Sequence, residues 1–83
     1  MQPIKMLTVK EMRENNFSFS KIRAYYSWYA ENGFHKANKK AYTSELNKLR
    51  YLVKKENMSW KRIMICSKIK NYSFDMSEFA KAA

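Results

Sequence analysis

Groups able to do covalent or metal chemistry are sparse in this chain. There is one histidine, His35, one cysteine, Cys66, and seven carboxylates in 83 residues. Nucleophilic catalysis needs a base held beside the nucleophile. His35 instead lies in a basic segment with Lys36, Lys39 and Lys40, a setting for a solvated or nucleic-acid-proximal imidazole. A structural zinc site wants about four ligands, and His35 with Cys66 supplies two. A single Gly cannot build a Gly-rich phosphate loop. Several carboxylates fall in helix first turns, where they serve caps and dipoles. The sequence therefore predicts a non-enzyme, with no catalytic residue, metal, cofactor or small-molecule substrate. The lone thiol permits no intramolecular disulfide, suits a reducing compartment and reads as a small core residue.

Positive charge is what the chain has in abundance. Its net charge is +10, from 17 basic and 7 acidic residues. Between Lys36 and Lys70 eleven basic residues are opposed only by Glu45 and Glu56. A field concentrated in this way attracts a polyanion. The predicted nucleic-acid contacts are Lys36, Lys39, Lys40, Lys61, Arg62, Lys68 and Lys70, with Asn71 and Tyr72 as neutral donors. Lysines give mainly sequence-independent phosphate contacts. Arg62 and Asn71 are the residue types that read base edges. The expected partner is double-stranded DNA.

A seven-residue pattern occurs twice and bears on how these side chains are held. Asn16-Phe17-Ser18-Phe19-Ser20-Lys21-Ile22 aligns with Asn57-Met58-Ser59-Trp60-Lys61-Arg62-Ile63. Each copy reads as a helix stop, a tight turn and a helix start. Asn tolerates the left-handed conformation that ends a helix, and Ser caps the next one. A helix 44–56, the turn Asn57-Met58, a helix 59–70 and a closing helix 75–82 together resemble the helix–turn–helix superfamily of DNA-binding domains. Asn57 stands where that superfamily usually has Gly, and Met64 where it has a small Ala. The resemblance implies a DNA-binding regulator or accessory factor. By family order its recognition helix would be the last one, around 72–81. Asp75 and Glu78 outweigh Lys81 there, which leaves the basic side of helix 60–70 as the alternative DNA face.

The surrounding pattern predicts an all-α fold of five or six short helices. They form one domain, 1–83, with pseudo-repeat halves of roughly 1–42 and 43–83. One Gly and one Pro are too few turn residues for an all-β chain. Thr8-Val9-Lys10-Glu11 is a capping box opening a helix that runs to about Asn15. Ser18 caps a helix 19–31, stopped by Asn32-Gly33. Residues 34–42 read as a basic loop or a short helix. Leu46, Leu49, Leu52 and Val53 stripe the helix 44–56. Ser59 caps 60–70, with Trp60, Ile63 and Met64 facing in. Asp75-Met76-Ser77-Glu78 is a second capping box, opening the final helix.

The first half offers a different surface. Tyr25 and Trp28 lie on a flank away from the Ile22, Tyr26 and Tyr29 stripe. They read as core for the second half, as anchors of a protein interface, or as stacking platforms for single-stranded bases beside Lys21 and Arg23. The competing function is thus a phage-type inhibitor or adaptor that binds a host nucleic-acid enzyme or defence nuclease. Its partner would be a host protein, or a second copy in a homodimer. No apolar stretch of about 20 residues predicts a membrane span, and Met1–Leu7 is too short and mixed for a signal peptide. A cytoplasmic, non-membrane protein is expected. Thirteen Lys to four Arg, with frequent Asn, Tyr and Ile, suggests an A/T-rich genome such as that of a phage, plasmid or other mobile element.

Overall fold

The computed structural model describes residues 5–74. Four α-helices and one 3-10 turn follow in order: α1 Val9–Glu14, α2 Phe19–Glu31, the 3-10 turn Phe34–Ala37, α3 Lys39–Lys55 and α4 Trp60–Ile69. No strand occurs among these residues, so the all-α expectation holds, with fewer helices than the five or six expected. The expected closing helix 75–82 lies outside the described residues.

Both turns have one backbone. Asn16 and Asn57 take positive φ, 64° and 58°. The amides of Phe17 and Met58 donate to the carbonyls of Met12 and Val53 at 3.0 and 2.9 Å. Those of Asn16 and Asn57 donate to Arg13 and Lys54, both at 3.0 Å. This is the Schellman bonding pattern, which satisfies the last carbonyls of a helix. Ser18 and Ser59 then accept from the amides of Lys21 and Arg62, at 3.2 and 3.3 Å. The repeated residue types thus build a repeated shape.

Corresponding helices also meet. α1 packs on α3, and α2 packs along α4. α2 is central, touching α3, α4 and the 3-10 turn. Its Phe19, Ile22, Tyr25, Tyr26 and Tyr29 are buried with Val9 and Met12 of α1, Leu49 and Val53 of α3, and Ile63 of α4. Each such aliphatic side chain contributes roughly 1.5–3 kcal/mol by leaving water.

Two tyrosines fasten the segment before α1. The Leu7 amide donates to the Tyr25 hydroxyl at 2.9 Å, and the Tyr26 hydroxyl donates to the Leu7 carbonyl at 2.8 Å. Burial pushes Tyr25 up to about 12, and Tyr26 higher still. Tyr25, weighed above as core, interface anchor or stacking platform, is fully buried, with its ring edge-on to Tyr26 and Phe74. It offers no ring to a partner. Trp28 is half-buried, 5.7 Å from both Phe34 and Phe74 between ring centroids.

Glu45 has a role that local pattern does not reveal. Its buried carboxylate accepts from the Val9 amide, the first of α1, at 2.8 Å, and pairs with Lys48 at 2.9 Å. α3 thereby caps α1 across the fold. α3 itself begins at Lys39, five residues before the expected start at Ser44. Tyr42 accounts for the difference. Its ring meets Tyr26 edge-on at 5.9 Å and its hydroxyl donates to the Tyr26 carbonyl at 3.3 Å. These contacts hold the first turn in the helix, so Thr43 and Ser44 lie within α3 rather than at its start, with their side chains exposed.

Candidate nucleic-acid interface

α4 sorts its side chains cleanly by face. Ile63 is buried and Trp60, Met64, Cys66 and Ser67 are half-buried, while Lys61, Arg62, Ile65, Lys68 and Ile69 are exposed. At the helical repeat the five exposed residues fall within an arc of about 120°. Three are cations. Cys66, expected in the core, sits at its edge.

The first turn of α4 concentrates positive charge further. A helix N-terminus carries about half a positive charge and ordinarily favours Asp or Glu. Here the first turn holds no acid and presents Lys61 and Arg62. The guanidinium groups of Arg50 and Arg23 lie 5.3 and 5.8 Å from the centre of the Trp60 ring, within cation–π range. The same inversion marks the other long helices. Neither α2 nor α3 has an acid in its first turn, and α3 opens on Lys39 and Lys40 with no side-chain cap. Among the described helices, only α1 follows the usual rule, with Glu11.

The equivalent face of α2 is not available. When the alignment is carried on at the same spacing of 41 residues, Ser20, Lys21, Ala24, Ser27 and Trp28 correspond to the exposed residues of α4. Ser20 is buried and the other four are half-buried. The segment after α4 accounts for this. The Tyr72 hydroxyl lies 3.0 Å from the Ser20 hydroxyl and 3.4 Å from that of Ser18, and Phe74 lies against Trp28. Burial raises the Tyr72 pKa, but its bonds with Ser18 and Ser20 and the Lys70 charge outweigh that and leave it below 10.0. Tyr72, expected as a nucleic-acid donor, is occupied in anchoring this segment.

The predicted contact residues separate into groups. Lys61, Arg62 and Lys68 share the α4 face. Lys68, Lys70 and Asn71 border a small crevice against α2. Lys39 and Lys40 lie instead along an open groove between α1 and α3, with Lys10, Arg13 and Lys48, and with Glu14 as the one carboxylate in its lining. Tyr51 stands exposed there. Lys36, on the 3-10 turn, belongs to none of these groups. His35 packs against Tyr42 with the two rings tilted and their centroids 5.3 Å apart.

Comparison with protein-family models, curated proteins and solved structures yields no match.

Sequence reasoning missed Ile65 and Ile69 on the α4 face, and Lys10, Arg13 and Tyr51 in the groove. Placing 61, 62, 65, 68 and 69 on a helical wheel finds the first pair. The groove depends on how α1 packs on α3, which no local pattern encodes. Among the described residues, no cluster of His, Cys, Asp or Glu could hold a metal ion, and no helix is long and apolar enough to cross a membrane.

Proposed function

We propose that this chain is a small double-stranded-DNA-binding protein whose contact helix is α4, held by a helix–turn–helix core. The observation that carries the reading is the cationic first turn of α4. Placing Lys61 and Arg62 against the positive end of a helix costs stability. A phosphate backbone offsets that cost, because it meets the cations and the helix dipole together. The outward position of Lys61, Arg62 and Lys68 suits phosphate contact, and Arg62 is the residue type that pairs with guanine. A role as regulator or accessory factor of a phage, plasmid or other mobile element fits such a module.

One observation favours a second reading. The groove between α1 and α3 combines five cations with the exposed Tyr51, features that also suit an acidic protein surface. This is the inhibitor or adaptor function, directed at a host nucleic-acid enzyme or defence nuclease. The two readings separate in a binding assay. A labelled mixed-sequence duplex, titrated at about 50 and about 200 mM salt, should be bound tightly at the lower salt and lose orders of magnitude in affinity at the higher. Absence of binding at the lower salt would overturn the DNA reading and leave the protein-directed one.

A further inference from the structure

Resting on the duplex reading above, we propose that α4 selects thymine-rich duplex by seating Ile65 and Ile69 against thymine methyl groups in the major groove.

These two isoleucines have no part in the core. Ile65 is 47% exposed and Ile69 75% exposed, while Trp60, Ile63 and Met64 face inward from the same helix. The pair lies one helical turn apart, within the arc shared by Lys61, Arg62 and Lys68. That rim states what can cover the isoleucines. A second copy meeting this face in the same way would bring its own three cations against these three, a repulsive arrangement. A polyanion is complementary.

On duplex DNA the apolar group presented on the major-groove base edges is the thymine 5-methyl. The dimensions agree. An α-helix about 10–12 Å across fits a groove about 12 Å wide. Residues four apart rise about 6 Å along the helix, close to two base-pair steps of about 3.4 Å each. A helix running along the groove can therefore set Ile65 and Ile69 on methyl groups two steps apart while its basic rim meets the phosphates. The Lys-, Asn- and Ile-rich composition, read above as the mark of an A/T-rich genome, points to a setting where such methyls are dense.

The test uses three alternating duplexes of equal length and charge. One is deoxyadenosine–thymidine, the second is its deoxyuridine counterpart, which lacks the 5-methyl, and the third is deoxyguanosine–deoxycytidine. Each is titrated with the wild-type chain and with Ile65→Ala/Ile69→Ala, whose Tm should stay within a few degrees of wild type because neither side chain belongs to the core. Wild type should bind the thymidine duplex about fourfold more tightly per buried methyl than the deoxyuridine duplex. The variant should bind the two alike. Equal binding of both by wild type would overturn thymine reading while the duplex reading stands. The same preference retained by the variant would also overturn it, by assigning the discrimination to duplex shape. Failure of wild type to bind any of the three duplexes at low salt would overturn the duplex reading itself.

Discussion

Asn16 and Asn57 show how single residues set this architecture. Each occupies the left-handed region at the end of a helix, and each is followed by the serine that starts the next one. The left-handed region costs most residues with a β-carbon roughly 1–2 kcal/mol, is better tolerated by Asn and carries no steric cost for Gly. Asn57→Ala should therefore lower stability by about 1 kcal/mol, or roughly 4–8 °C in Tm for a domain of this size. Asn57→Gly should leave it nearly unchanged, as calorimetry of the two variants will show. Glu11 makes a second prediction at this scale. Its bond with the Thr8 amide, the largest influence, holds its pKa below 4.5, with burial acting in the opposite direction and the Thr8 hydroxyl and Lys5 adding to the decrease. A lowered carboxylate pKa means that its stabilisation is complete above about pH 4.5 and is lost as pH falls through the folded value. Glu11→Gln should therefore flatten the acid limb of a Tm-versus-pH curve.

At the scale of elements, the local chemistry of helix ends was legible. The Thr8 capping box, the Ser18 and Ser59 caps and the stop at Asn32-Gly33 all appear where the sequence predicts. These signals act over three or four residues, and the distant groups that reach the same helix starts, Tyr72 at Ser18 and Glu45 at Val9, leave the local caps in place. The start of α3 was not legible, because Tyr42 settles it by packing on α2. Glu45 was not legible either, since the Val9 amide it caps lies far away in the chain. The choice among core, interface anchor and stacking platform for Tyr25 was not legible, because Leu7 and Phe74, which cover it, come from outside its helix. Of the predicted site, the α4 cations are brought together, while Tyr72 is drawn into the fold. The charge inversion of α4 makes its own prediction. Lys61→Glu/Arg62→Glu places acids where the helix dipole favours them, so this helix should gain about 0.3–1 kcal/mol per substitution. A chemical denaturation midpoint at or above that of wild type is the expected result.

For the whole molecule, those substitutions separate folding from binding. A chain with net charge +10 could attract DNA diffusely from any side. The central claim is narrower, that α4 is the surface that meets the duplex. The most direct test is a salt series of fluorescence-anisotropy titrations on a mixed-sequence duplex, comparing wild type with Lys61→Glu/Arg62→Glu. The variant should keep its fold, bind about tenfold or more weakly and show a log–log salt slope shallower by about 2, one for each lost phosphate contact. A variant that binds with wild-type affinity and slope would contradict the assignment of α4 as the contact helix.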